Sequence, residues 1–302
     1  MEQVPSAQLH SQEDLLAPDF LRKIEQLSLI AKKVFPGQTR GERRSTKRGA
    51  SVEFADYRNY TIGDDFRRVD WNVYARLEKL FLKLYVEEED LRVYLLLDAS
   101  QSMEFGSPSK LLYAKRVAAA IAYIALSNFD RVGISVLSGE SASVSQAKRG
   151  KQSAFELFDY LKTIHASGDT KLSASLRDFC LRTNQPGVAI VVSDFLDNEY
   201  QKGIMALLSR KFEVTLLHVL DQDEVNPSIV GDLLLVDSET GERREVTVTQ
   251  ALLRKYQQRF SEFCGGIEDF CMRYGCNYVR VTSQSPFEDL ILSYLRQRGV
   301  VR

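Results

Sequence analysis

An aspartate and two serines close the run "VYLLLDASQSM", residues 93–103: Asp98, Ser100 and Ser102 alternate at the end of an apolar stretch. The unbroken apolar segment Val93 to Leu97 is the pattern of a strand covered on both faces. Three oxygen-bearing side chains at the end of such a strand have two uses. They cap the turn into the next helix, or they hold a cation. Two later positions favour the cation. Thr170 stands in "SGDTKL" ahead of a predicted helix, and Asp194 follows a second apolar run in "GVAIVVSDF". A hard divalent ion, Mg²⁺ or Mn²⁺, suits this chemistry, because Mg²⁺ takes about six oxygens in near-octahedral array and keeps some of its waters. Three neutral hydroxyls and only two carboxylates leave such an ion electrophilic. A carboxylate from another molecule is the natural completing ligand.

The elements that position these side chains are legible in outline. A helix is predicted from about Lys110 to Asn128, then the strand "RVGISVL", helices near 153–164 and over "LSASLRDFCLRT", and the buried strand at 188–193. A helix around 199–211, the strand "EVTLLHVL", a hairpin turning at Thr240 and Gly241, a long helix from about 249 to 274, the strand "NYVRV" and a helix from Pro286 follow. Strands alternating with helices predict an α/β protein, its mostly parallel sheet covered by helices on both faces. In such open sheets ligands bind beyond the carboxyl ends of the strands, so the three oxygen-bearing loops are expected at one edge. Residues 91–302 make this domain. Residues 1–90 are read as a flanking element: a helix capped by Asp19 and running to about Val34, a basic loop, and an aromatic and charged bracing segment ending in the strand "LFLKLYV".

Composition narrows the function. A net charge of -1 over 302 residues gives no global attraction to nucleic acid or membrane. The basic cluster Arg40, Arg43, Arg44, Lys47 and Arg48 lacks interleaved aromatics and reads as a solvated loop, so nucleic acid is not expected as a partner. Cys180, Cys264, Cys271 and Cys276 form no CxxC pair and read as thiols of a reducing compartment. The first residues lack a basic stretch followed by an apolar one, and "VAAAIAYIALS" is too short to span a bilayer. The expectation is a cytoplasmic chain without a membrane span. No GxGxxG or GxxxxGK[ST] is present.

Other polar residues read more simply. Asp197 is expected to cap or to be solvated, His165 to be structural, His218 to be a satisfied core residue, and Lys110 to be exposed in the first turn of its helix. In "GDDFRRVDW", internal ion pairs and capping account for Asp64, Asp65 and Asp70. Trp71 is expected to anchor that segment, with Arg67, Arg68 and Trp71 as a possible partner-facing set.

Taken together, "DASQS", Thr170 and Asp194 resemble the metal-ion-dependent adhesion site of von Willebrand factor A domains. Upstream, "DYRNYTIGDDFRRVDWNVYARLEKL" ahead of that site resembles the bacterial domain of unknown function 58 family, with its DYR…GDD.R.IDW…AR…L pattern, over about Arg40 to Asp197. The resemblance implies a metal site at Asp98, Ser100, Ser102, Thr170 and Asp194. It also implies a MoxR-type AAA+ ATPase partner, because members are typically encoded beside one. Many members carry membrane helices near the N-terminus, which this sequence does not show. Its second loop reads GDT where the family reads GGT, so Asp169 adds a nearby charge.

The expected function is therefore a non-enzymatic protein-binding module that captures an acidic side chain of an unidentified client through Mg²⁺, working with that ATPase in assembly or remodelling. The alternative weighed is a metal-dependent phosphatase of haloacid dehalogenase type. Its general acid would stand two residues after Asp98, where this chain has Ser100.

Overall fold

The apolar runs become strands laid side by side, and the segments between them coil into helices on both faces of the sheet. The computed structural model describes residues 15–25, 27, 53–86, 91–168, 171–227, 229–236 and 242–294. The chain divides into two units, Lys33–Asp90 on one hand and Met1–Lys32 with Leu91–Arg302 on the other. Helix α1 (Pro18–Ile24) belongs to the second. It starts at Pro18, with Asp19 inside its first turn instead of capping it, and buries Phe20 and Ile24. Residues 28–34, expected to continue this helix, the basic cluster 40–48 and the hairpin turn at Thr240 and Gly241 lie outside the described residues.

The smaller unit pairs β1 (Glu53–Asn59) antiparallel with β2 (Phe81–Val86), with a bulge between Phe54 and Asp56. Between them runs the short helix α2 (Trp71–Leu77). Its first amides are satisfied by Asp70, which accepts from the N–H groups of Asn72 and Val73 and from the Tyr57 hydroxyl. Asp65 accepts from the Arg67 N–H, and Asp64 takes both arms of the Arg58 guanidinium, at 2.9 and 2.7 Å. The acidic residues of this segment thus serve as caps and as an ion pair, as expected, with Arg58 as the cation. Trp71 is 56% exposed and meets the ring of Tyr74 edge-on, so it does not anchor the segment. Arg67 is exposed, and the Arg68 side chain lies outside the description.

The larger unit is built on a seven-stranded sheet. Its strands are β3 (Arg92–Asp98), β4 (Arg131–Ser138), β5 (Ser141–Val144), β6 (Lys148–Arg149), β7 (Val188–Ser193), β8 (Glu213–Leu220) and, past the separate hairpin β9–β10 (Gly231–Val236 and Arg243–Val248), β11 (Asn277–Thr282). The order is β11-β8-β7-β3-β4-β5, with β6 also on β4. Neighbours from β11 to β4 run parallel, and β5 and β6 are antiparallel to β4. Parallel pairing forces each connection to cross a face of the sheet, which is why helices intervene. These are α3 (Lys110–Ser127), α4 (Ala154–Thr163), α5 (Leu172–Arg182), α6 (Tyr200–Ser209), the single turn α7 (Gln222–Val225), α8 (Gln250–Tyr274) and the short α9 (Phe287–Asp289).

Alternate residues of the strands serve the two faces. Tyr94 and Leu96 of β3, Val191 of β7 and Leu216 of β8 join Leu176, Phe179, Ile204 and Ile267 of helices α5, α6 and α8 in one core cluster. Helix α3 packs on β3 and β4 and is covered by α1 and α4. It is apolar around almost its whole circumference, with Ala118 to Leu126 all buried, so it lies inside the fold. Each fully buried leucine of β3 contributes about 2 kcal/mol, and Leu95, Leu96 and Leu97 are all sealed from solvent. The sheet is therefore rigid where β3 ends.

Candidate metal centre

The sheet reverses its direction of growth beside β3. The chain adds β4 on one side of it, then returns to lay β7 on the other. A crevice opens at the carboxyl ends of two such strands, and open α/β sheets bind ligands there. Strand β3 ends in Asp98; β7 ends in Ser193, with Asp194 next.

Backbone turns deliver the remaining groups. Asp98 Oδ1 accepts from the Ser100 N–H at 3.0 Å, which bends the chain into the 3₁₀ turn Gln101–Glu104. Ser100 occupies the cap position of that turn, yet its hydroxyl makes no capping bond. It lies 2.9 Å from the Ser102 hydroxyl instead, and Ser102 donates to Asp194 Oδ2 at 2.8 Å. Ser193 closes the other side, donating to Asp98 Oδ2 at 2.6 Å and accepting from the Phe195 N–H at 2.9 Å. Asp98, Ser100, Ser102 and Asp194 are thus brought together. Thr170 lies outside the described residues. Of the described residues that flank it, Gly168 accepts from the Gln101 N–H, and the Lys171 N–H donates to Gly139. Arg67, Arg68 and Trp71 belong to the smaller unit.

The donor set fits a hard cation. Oxygens on adjacent corners of an Mg²⁺ octahedron, at about 2.0–2.1 Å from the ion, are roughly 2.8–3.0 Å apart. The contacts Ser100 Oγ to Ser102 Oγ and Ser102 Oγ to Asp194 Oδ2, 2.9 and 2.8 Å, are hydrogen bonds whose lengths are compatible with that spacing. Among the described residues no three carboxylates, imidazoles or thiols cluster at metal-holding distance, so an ion here would draw on the two hydroxyls as well as the carboxylates. Burial, and then the charge of Asp194, push the Asp98 carboxyl above the ordinary carboxylate range, against the bonds from Ser193 and Ser100. A divalent ion held here would favour the ionised form.

Lys110 corrects the sequence reading. It is fully buried, and its ammonium donates to Asp194 Oδ2 at 2.8 Å and to Glu224 Oε1 at 2.6 Å. Burial alone would lower its pKa; the charges of Asp194 and Glu224 more than offset this and raise it. Glu224 is held in turn. Its Oε2 accepts from the Asp221 N–H in a capping box that starts α7, and its backbone carbonyl accepts from the Tyr256 hydroxyl of α8. The loop ahead of α3 touches the same turn. Gly106 adopts φ +100, and a β-carbon there would stand 2.2 Å from Asp221 Oδ2, which already accepts from Ser283 and Gln284.

The other expectations divide. Asp197 caps as read, accepting from the amides of Ser173 and Glu199. His218 is buried, with Nδ1 at 2.8 Å from the Tyr278 hydroxyl, but its Nε2 has no hydrogen-bond partner among the described residues, so it is only half satisfied. Burial lowers its pKa to about 4. Cys180, Cys264 and Cys271 are buried, as is usual for thiols in a core. Ser193 and Glu224 escaped the sequence reading altogether, and Lys110 was read there only as an exposed residue. A sign of Lys110 was present: a helix apolar on all sides is buried on all sides, its first turn included.

Fold and site define an α/β protein with a mostly parallel sheet and a cluster of largely buried oxygen-bearing side chains at its switch point. A family model described as "Protein of unknown function DUF58" matches residues 56–262, and the chain belongs to that family. The Mycobacterium bovis protein Mb1516 is 28% identical over 244 residues, which cover 79% of this chain and 77% of the relative. Among solved structures, the conserved hypothetical protein BatB from Bacteroides thetaiotaomicron is 16% identical, with 69% of this chain and 98% of that one covered and a TM-score of 0.42. The von Willebrand A domain of SpRpn10 is 13% identical, with 68% and 94% covered and a TM-score of 0.37. Scores this low assign nothing beyond what the sheet itself displays. No helix among the described residues is long and apolar enough to cross a membrane.

Proposed function

We propose that this chain is a non-enzymatic binding module that captures an acidic side chain of a partner through a Mg²⁺ or Mn²⁺ ion. Asp98, Ser100, Ser102 and Asp194 hold the ion, with Thr170 as a further hydroxyl ligand. The reading rests on the Ser100 hydroxyl. It stands where a cap should be, makes no capping bond, and meets the Ser102 hydroxyl, which in turn reaches Asp194, in a chain of oxygens spaced closely enough to share one ion. When bound, the ion supplies a Lewis-acidic centre for a foreign carboxylate. The chain's own part is to fix the two hydroxyls, keep Asp98 and Asp194 dry, and present the crevice at the sheet edge. Family resemblance supports a MoxR-type AAA+ ATPase as the energy source, with this chain recognising a client protein. Nothing in the geometry favours the phosphatase alternative, which lacks its general acid at Ser100.

Calorimetric titration of the wild type and of Asp98→Ala with Mg²⁺ and Mn²⁺ tests the reading. Saturable binding in the wild type that disappears in the variant supports it. The same titration repeated with the ATPase present then measures whether capture needs the ion. Absence of binding in the wild type, alone and with the ATPase, overturns it.

A further inference from the structure

We infer that Lys110 is a built-in substitute for the metal: its ammonium holds Asp194 in place while the crevice is empty, and shifts fully onto Glu224 when a divalent ion arrives. The inference rests on the metal reading above and adds to it a positioning residue that sets the affinity of the site.

The argument begins with one atom. Asp194 Oδ2 accepts from the Ser102 hydroxyl and from the Lys110 ammonium, each at 2.8 Å. An oxygen so engaged has its charge already neutralised, and buried carboxylates need such a partner. Lys110 is sealed from solvent and cannot be replaced there by water. It also has a second anchor, Glu224 Oε1, at 2.6 Å. The ammonium therefore bonds two carboxylates at once, one of which is also a ligand in the metal reading.

Charge counting gives the direction of the switch. Asp98, Asp194 and Glu224 against Lys110 leave the ionised cluster two charges negative, which a divalent cation brings to neutrality. A second cation beside Asp194 repels Lys110 strongly in so dry a setting. Glu224 is the only other carboxylate the ammonium contacts among the described residues. It is anchored by both oxygens, since Oε2 holds the Asp221 N–H. Occupancy of the crevice is thereby communicated to α7 and, through Tyr256, to α8.

Opposite effects from the two partners of one ion pair make the test. Lys110→Met removes the competing cation, so Mg²⁺ binds about tenfold tighter or more, while the melting temperature in EDTA falls and saturating Mg²⁺ restores most of the loss. Glu224→Gln leaves the ammonium with Asp194 alone, so Mg²⁺ binds more weakly, and Lys110→Arg, which keeps the charge, binds no tighter than the wild type. A merely structural Lys110 predicts weaker binding in both Lys110→Met and Glu224→Gln. That pattern, with the wild type binding normally, overturns the inference and leaves the metal reading standing. Binding by Lys110→Met but not by the wild type supports the inference and overturns the reading for the native chain. No binding by either overturns both.

Discussion

The hydroxyl of Ser193, the last residue of β7, donates to the carboxylate of Asp98, the last residue of β3, across 2.6 Å. Two parallel strands are thus joined at their ends by a side-chain bond as well as by their ladder. The bond supports the charged form of a carboxyl that its surroundings push toward the neutral one. Ser193→Ala removes it. The Asp98 carboxyl then rises further, the fold loses about 1–2 kcal/mol, and Mg²⁺ binding weakens more at pH 6 than at pH 8. Calorimetry at both values measures this, and equal weakening at each would sink the electrostatic account.

Asp98 and His218 pull acid stability in opposite directions. The raised Asp98 carboxyl holds a proton in the folded state that the unfolded chain has already released. Its contribution is complete below the ordinary carboxylate value of 3.8 and is lost as pH rises through the folded value. His218 is lowered from 6.5 to about 4. Its contribution is complete above the unfolded value and is lost as pH falls toward the folded one. In metal-free wild type the two slopes offset. In Asp98→Asn the His218 slope stands alone, and stability climbs by roughly 3 kcal/mol between pH 4 and 6.5. Urea midpoints across that range in EDTA read the difference. Parallel curves for the two proteins would count against it.

Asp194→Asn strands half of the Lys110 pairing in the interior. The expected cost is about 1–3 kcal/mol, since the ammonium loses one of its two charge-assisted bonds and keeps only Glu224. Once Asp194 has lost its charge, Lys110→Met forfeits only the Glu224 bond, so the double variant is less destabilised than the sum of the two. A double-mutant cycle of urea unfolding measures the coupling. Strict additivity would show that Lys110 does not depend on Asp194.

Gly106→Ala tests the loop ahead of α3. At φ +100 a side chain is strained, and the new β-carbon meets Asp221, whose carboxylate already holds Ser283 and Gln284. A loss of about 2–3 kcal/mol follows, seen as a lower urea midpoint at unchanged slope. A midpoint matching the wild type would mean the loop yields without cost.

What was legible in the sequence was what repeats locally. The apolar runs at 93–97 and 188–192 announced strands buried on both sides, and an oxygen at the end of each marked where to look. Helix α3 was read to within a residue of its end because its signal is continuous. Lys110 was misread because its burial is not a local property. Its two partners lie 84 and 114 positions further on, and Glu224 sits in a single turn with no periodicity of its own. The smaller unit was opaque for a related reason. Its two described strands are interrupted by a bulge, so their alternation breaks within a few residues, and three of its aromatics give no inward signal: Trp71, Tyr74 and Phe66 are all exposed.

The strand order also fixes when the crevice comes into being. Ser102 and Asp194 are 92 positions apart, and β7 takes its place beside β3 only after β4, β5 and the helices behind them have been made. Contacts of such span repay their loop-closure entropy late in folding. On a ribosome adding about 5–20 residues each second, several seconds separate the appearance of Asp98 from that of Glu224. For that interval the nascent chain carries an acidic strand end and an unpaired helix start, and the crevice is assembled after the sheet that frames it.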